Sequence, residues 1–247
     1  EELMEKQLES NFRIMEQIRA RVDAIVADPK VAASLKPYYP YGRKRPAVHD
    51  EYLPTFNMPH VTLVDTAPRG VSKINENGVI HEGTEYPLDV LIYATGFKWQ
   101  ETATFNMIVG KDGQSLRKKW QSEGTKTFLG IHSNGFPNLF IVTGPQGGGG
   151  SFNFTEAIET HSDYLIWILE TMRDQGAGVV DIKKEHENEY AEHCRAVDIS
   201  TSAFRDCISY YNGEGKAEPG SLSYYGGNQW HKYRANAEQT LDPYIFK

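Results

Sequence analysis

The nine residues from Leu88 to Gly96, LDVLIYATG, form a nearly continuous apolar run that ends in Thr-Gly. A half-exposed strand alternates apolar with polar side chains. A run without alternation suits a strand buried on both faces, as in the middle of a parallel sheet. Parallel neighbours are joined by long crossovers, usually helical. The run therefore predicts an α/β architecture, with strands on either side of Leu88–Gly96. The chain barely supplies such strands, which argues against a stand-alone binding domain of 247 residues.

The surrounding pattern agrees with a mixed fold. Met4, Leu8, Phe12, Met15, Ile18, Val22 and Ile25 recur at spacings of three and four, so residues 3–26 read as one long amphipathic helix. Asp28-Pro29 ends it and opens another, with Asp as N-cap and Pro at the first helical position. Pro37 and Pro40 keep that helix short, and residues 40–59 read as a loop. Val61–Asp65 (VTLVD) and GVIHEG with its continuation read as strands, with a hairpin turn at Asn77-Gly78. Residues 98–130 carry no clear period. Leu139–Gly144 (LFIVTG) reads as a second buried strand ending at Gly144-Pro145. A helix follows from about Thr155 to Asp174, with Ile158, His161, Leu165, Ile168, Leu169 and Met172 inward and Gly176 as its stop. Lys183–Val197 reads as a charged helix, and regular pattern returns only at HKYRANAEQ.

Strand, glycine loop, helix is an arrangement that holds a phosphate or a conjugated ring over a helix N-terminus. GPQGGGGSFNFTEAIE has this order, and its four consecutive glycines let backbone approach a ligand closely. No Lys-Ser or Lys-Thr follows, so it is no Walker loop, and Ser151 lacks the frame of a nucleophile elbow. The same residues also read as a flexible surface loop. His186, Glu189 and His193 share a helix face, but a solvated charged face accounts for them more simply than a metal site. Glu156 and Glu159 read as acids complementing the dipole at a helix start.

Composition narrows the function classes. A net charge of −7 and a pI near 5.6 argue against nucleic-acid binding. No apolar run approaches the ~20 residues of a membrane helix, and the charged start EELMEKQLES is unlike a secretory signal. Cys194 and Cys207 show neither disulfide-framework nor metal-type spacing, so a reduced, cytoplasmic setting is expected.

Taken together, four segments resemble Baeyer–Villiger monooxygenases: YPYGRKRPAVHDEYLPTFNMPHVTLVD, LDVLIYATGF, GFPNLFIVTGP with FNFTEAIE, and ISYYNGEGK. They occur in the same order and at similar spacing, from about Asn11 to Arg234. The first segment and the FPNLF block are the specific ones; ATGF is common to flavoenzymes with two dinucleotide-binding domains. The resemblance implies an α/β fold that is part of a two-dinucleotide-binding-domain (FAD and NADPH, Rossmann-like) flavoenzyme. It also implies that this chain is the C-terminal half, because the family's two GxGxxG motifs and its FxGxxxHxxxW signature precede the matching region. The expected division is 1–40 as a helical insertion of the NADPH domain, 41–90 as the end of that domain, and 91–247 as the end of the FAD domain. The expected partner is the N-terminal half of the same enzyme, on the same or a separate chain.

The resemblance also implies roles. Lys44 would bind the 2′-phosphate of NADPH. Arg45, the catalytic residue, would sit over the flavin and hold a C4a-peroxide anion and then its tetrahedral ketone adduct, since a guanidinium stays charged. Taken alone, GRKRP reads as a solvated basic turn. Thr95, Gly96 and Phe97 would return the chain to the flavin domain. Gly144, Pro145, Asn153 and Phe154 would lie along the flavin, although core packing also accounts for Phe154. Gly148, Gly149, Gly150 and Ser151 would line the substrate. Tyr210 stands where many relatives carry a Trp against the nicotinamide ribose, which puts in doubt how tightly NADP+ is held. The implied reaction uses FAD, NADPH and O2 to convert a ketone to an ester or lactone. The alternatives are an N- or S-oxygenating flavin monooxygenase, or a non-catalytic fragment that scaffolds the other half.

Overall fold

The computed structural model describes residues 2–42, 44, 46–96, 103–147, 153–196 and 228–247. It divides into two compact units, Glu1–Tyr41 with Pro46–Lys98, and Gly42–Arg45 with Trp99–Lys247.

The first unit opens on α1 (Glu2–Ile25) and α2 (Pro29–Leu35). The expected cap is present: the Asp28 carboxylate accepts from the amides of Lys30 at 2.7 Å and Val31 at 3.3 Å. Val22, Val26 and Ala32 form the buried seam between the helices, flanked by Leu35, Leu53 and Phe56. Asn57 seals the end of α1, accepting from the Ala27 amide at 2.8 Å and donating to the Ile25 carbonyl at 2.7 Å. A single turn, α3 (Tyr52–Thr55), interrupts the expected loop. Phe12 lies on the apolar stripe of α1 yet is 54% exposed, so the buried face is narrower than its spacing predicts.

The strands of this unit form an antiparallel meander, β1 (Lys73–Ile74), β2 (Gly78–His81) and β3 (Thr84–Pro87). The Asn77-Gly78 turn joins β1 to β2, so the partner strand is Lys73–Ile74 and not Val61–Asp65. Glu82 and Gly83, both at positive φ, make the next hairpin turn. Two expectations fail here. Val61–Asp65 is not a strand, and neither is Leu88–Gly96, where Val90 is 72% exposed and Ile92 83%. A strand exists only through its ladder, and among the described residues neither segment forms one beyond a single bond from the Leu88 amide to the Asn77 carbonyl at 2.9 Å.

The second unit contains α4 (Ala103–Met107), α5 (Leu116–Glu123), α6 (Phe154–Gln175), β4 (Val180–Ile182), α7 (Lys184–Ala196), α8 (Asn228–Thr240) and β5 (Tyr244–Phe246). β4 and β5 pair antiparallel, Val180 opposite Phe246 and Ile182 opposite Tyr244. Gly176 ends α6 in the left-handed conformation, as its position predicts. The buried face of α6 carries His161, Tyr164, Ile168 and Met172, whereas Ile158 and Leu169, expected inward, are exposed. Tyr164, Ile168 and Met172 join Phe128, Leu129, Ile131, Tyr190, Trp230 and Tyr244 in one core. At ~1.5–3 kcal/mol for each large apolar side chain removed from water, this core is the unit's main source of stability. Leu139–Gly144 is the third expected strand that is absent. It is held instead to a neighbouring loop by Ile141 N–H to the Ile131 carbonyl at 2.8 Å and Gly144 N–H to the Gly130 carbonyl at 2.9 Å.

A buried ion pair ties α5 to α7. Lys119 Nζ lies 2.7 and 2.8 Å from the two Glu187 oxygens and donates to Ser133 Oγ and the Asn134 carbonyl, each at 2.9 Å. The Asn134 amide and the Ser133 hydroxyl donate back to Glu187, both at 2.9 Å. Burial lowers the Lys119 pKa, with the Glu187 carboxylate opposing.

Candidate functional site

The expected site starts from the turn Gly144–Gly147, which ends on the first of the four consecutive glycines. It lies against the Thr127–Gly130 loop, and three glycines set the distance. A Cβ on Gly130 would fall 2.0 Å from the Gly147 Cα, and one on Gly144 would fall 2.4 Å from the Gly130 carbonyl oxygen. Gly130 also has φ +72°, a conformation natural to glycine. Close backbone approach is thus real here, but its first partner is another stretch of backbone.

Side chains then lock the turn. Thr127 donates through its amide to Gln146 Oε1 at 2.9 Å and through its hydroxyl to the Pro145 carbonyl at 2.8 Å. Gln146 Nε2 donates to the Thr125 carbonyl at 3.1 Å, and the Tyr190 hydroxyl donates to the Gln146 carbonyl at 2.7 Å. On the far side, His161 Cε1 stands 2.8 Å from where a Cβ on Gly147 would be. The His161 ring is 2% exposed and stacks on Trp230, with centroids 5.3 Å apart and planes 13° apart. Burial holds its pKa down at about 4, against the opposing effect of a backbone hydrogen bond with Gly147. The imidazole is therefore neutral near pH 7.

The helix on the other side of the tract begins at Asn153, whose side chain accepts from the Thr155 amide at 3.0 Å. Asn153 is thus an N-cap, a task that accounts for it without any ligand. Phe154 is 60% exposed, so burial in the core does not account for it. Glu156 lies in the first turn, where it complements the helix dipole as expected.

The remaining expected residues are more scattered. Lys44 is exposed in the turn after Gly42, and Thr95 and Gly96 are exposed at the end of the apolar run. Arg45, Phe97, Gly148, Gly149, Gly150, Ser151 and Tyr210 lie outside the described residues. Gly144 and Pro145 are thus in one locked turn, and Asn153 and Phe154 form the start of α6. Gln146 and Gly147 of the glycine motif complete the setting with Thr127, Gly130, Tyr190 and Trp230, and these last four were not singled out by sequence. Their signal is tertiary, since Thr127 and Tyr190 reach Gln146 from 19 and 44 residues away.

The candidate metal face resolves otherwise. His186 Nε2 lies 3.0 Å from Asp242 Oδ2, an ion-pair geometry, and His193 packs against the Tyr233 ring. Among the described residues no cluster of three metal-ligating side chains occurs, and no helix is long and apolar enough to cross a membrane.

A locked glycine turn, an exposed aromatic ring and the positive end of a 22-residue helix suit a flat conjugated group with negative charge at one edge. No family model matches the chain. It is 40% identical over 230 residues to pentalenolactone D synthase of Streptomyces exfoliatus, a match covering 88% of this chain and 38% of that protein. It is 38% identical over 239 residues to a Baeyer–Villiger monooxygenase of Streptomyces coelicolor, covering 92% of this chain and 39% of that protein. In structure it resembles polycyclic ketone monooxygenase from Thermothelomyces thermophila, with TM-score 0.85 and 31% identity over 100% of this chain and 42% of that one. It also resembles OTEMO in complex with FAD and NADP, with TM-score 0.84 and 27% identity over 97% of this chain and 45% of that one. The fold is therefore that of a segment of monooxygenases whose members include a complex with FAD and NADP. More narrowly, the chain is homologous to proteins that include a Baeyer–Villiger monooxygenase, and it spans 38% and 39% of the length of the two relatives named.

Proposed function

We propose that this chain is the C-terminal portion of a Baeyer–Villiger monooxygenase, which converts a ketone to an ester or lactone with NADPH and O2. The observation that carries the reading is the 40% identity over 88% of the chain, joined to a fold match over its whole length. Bound FAD would take hydride from NADPH and activate O2 for transfer of one oxygen atom to the ketone. The chain's own residues would bind, orient and hold charge. Lys44 would contact the 2′-phosphate of NADPH as a point charge. Arg45 would keep a fixed positive charge beside the attacking anion and the tetrahedral adduct, where such a charge counts most.

Gly144 and Pro145 would run along the flavin edge, with Phe154 and the start of α6 facing it. Asn153 would act through its cap on that helix. Thr95, Gly96 and Phe97 would carry the chain back to the flavin domain, Tyr210 would contact the nicotinamide ribose, and Gly148, Gly149, Gly150 and Ser151 would border the ketone. The N-terminal half of the enzyme would supply both dinucleotide glycine motifs and the strands that flank Leu88–Gly96, whose exposed apolar side chains are otherwise unaccounted for. Activity would need both halves, in a reduced cytoplasmic setting.

The test is to give the full-length protein NADPH, air and either a cyclic ketone or a thioether. Ester formation from the ketone is expected. Sulfoxide without any ester would overturn the reading in favour of S-oxygenation.

A further inference from the structure

Asparagine followed by glycine is chemically labile, because glycine has no Cβ to shield its amide nitrogen from the asparagine carboxamide. The sequence holds three such pairs, Asn77-Gly78, Asn134-Gly135 and Asn212-Gly213, of which the last lies outside the described residues. In the labile step the glycine nitrogen loses its proton and attacks Cγ of the asparagine. A C–N bond forms to close a succinimide, the Cγ–Nδ2 bond breaks, and ammonia leaves. Water then opens the ring to aspartate or isoaspartate, with no change of oxidation state.

The two described pairs differ in what holds the attacking N–H. The Gly135 amide donates to the Asp181 carboxylate at 3.1 Å, and the Asn134 carboxamide donates to the Ile182 carbonyl at 2.6 Å. Asp181 is 6% exposed and is held by Lys111 at 3.0 Å. Negative charge on the Gly135 nitrogen would arise beside a carboxylate that water screens little. At Asn77-Gly78 the guard is neutral. The Gly78 amide donates to Asn75 Oδ1 at 2.9 Å, and Asn75 Nδ2 donates to Glu85 Oε1 at 2.6 Å. Asn77 and Glu85 are exposed. Glycine is required here all the same, since a Cβ on Gly78 would fall 2.0 Å from the Tyr86 carbonyl oxygen.

We propose that Asn77 is a site of spontaneous conversion to aspartate or isoaspartate, and that the Asn75 carboxamide sets its rate. Isoaspartate lengthens the turn backbone by one carbon. That acts against the 3.0 Å bond from the Asn75 amide to the Gly78 carbonyl and the 2.9 Å bond from the Leu88 amide to the Asn77 carbonyl. The modification thus loosens the hairpin immediately ahead of Leu88–Gly96.

Ageing the full-length protein at mildly alkaline pH, with both asparagines followed by peptide mass, tests this. Asn77 should convert while Asn134 stays intact. Asn75→Ala should speed conversion at Asn77 severalfold, the scale of one hydrogen bond, and leave Asn134 unchanged. Asn75→Asp combined with Glu85→Gln exchanges donor and acceptor between the two side chains and keeps an oxygen for the Gly78 amide. That protein should convert no faster than wild type. In urea, where no hairpin stands, wild type and Asn75→Ala should convert Asn77 alike. Conversion of Asn134 as fast as Asn77 would overturn the proposal, as would an unchanged rate in Asn75→Ala or a double variant as fast as Asn75→Ala. A difference between wild type and Asn75→Ala that persisted in urea would overturn it too, because the folded turn would then not be its cause.

Discussion

The Asn11 carboxamide brackets the Tyr41 peptide, accepting from its amide at 3.0 Å and donating to its carbonyl at 2.9 Å. One side chain of α1 thus pins the backbone just ahead of the Gly42–Arg45 segment, which carries the lysine proposed to bind NADPH and the arginine proposed to be catalytic. Asn11→Ala removes both bonds. Each is exposed and contributes about 1 kcal/mol at most, so melting should shift little. The dissociation constant for NADPH should rise severalfold with flavin content unchanged, as titration of the full-length protein would measure. An unchanged constant would mean that this anchor does not position Lys44.

The glycines at the turn make a sharper demand. Gly130→Ala forces a Cβ to 2.0 Å from the Gly147 Cα in a left-handed backbone, and it should cost on the order of 3 kcal/mol or more. Gly178 has open space around its Cβ position and no positive φ, so Gly178→Ala should melt like wild type. Thermal unfolding of the two variants side by side checks the contrast. Equal melting would contradict the packed turn.

Lys119 and Glu187 are 5% and 0% exposed, and neither can lose its partner cheaply. Lys119→Met should destabilise by about 3–5 kcal/mol, because it strands a buried carboxylate. Lys119→Met with Glu187→Leu should cost clearly less than the sum of the single changes. Urea unfolding of the four proteins gives the coupling, and additive costs would show that the pair does not interact.

Two buried histidines predict acid sensitivity. Burial depresses the His132 ring to a pKa of about 3 and the His161 ring to about 4, against an ordinary 6.5. As pH falls below 6.5 the unfolded chain takes up protons on both rings, and the folded chain does so only near 4 and 3. The unfolded state binds more protons in that window, so stability is whole above pH 6.5 and is lost as pH falls. Each unit of depression is worth ~1.4 kcal/mol, so the loss is large. His132→Phe should flatten the slope of unfolding free energy between pH 6.5 and 4. A slope equal to that of wild type would contradict a neutral buried ring.

The helices α1, α2, α6 and α7 were legible from sequence because their signals are local: the Asp28 cap, the Gly176 stop and the apolar spacing of α1 and α6 act within a few residues, whereas the short α3, α4 and α5 carry no such signal. The buried strands were not. Leu88–Gly96, Val61–Asp65 and Leu139–Gly144 have strand-like composition, but a strand is completed by a neighbour that composition cannot provide. The inward face of α6 was misread at Ile158 and Leu169, while Tyr164 was passed over. Its hydroxyl lies 2.7 Å from that of Tyr244, a partner 80 residues away that lets a polar ring be fully buried. The glycines of the motif marked a turn that packs closely on neighbouring backbone. The residues that hold it, Thr127, Tyr190 and Trp230, meet there only through tertiary structure.

The most direct measurement supplies the full-length protein with NADPH, a cyclic ketone and isotopically heavy O2, and determines the mass of the product. A lactone carrying one heavy oxygen atom, formed in step with NADPH oxidation, is the predicted result. NADPH oxidation that leaves the ketone intact, with the heavy oxygen recovered only as hydrogen peroxide or water, would contradict it.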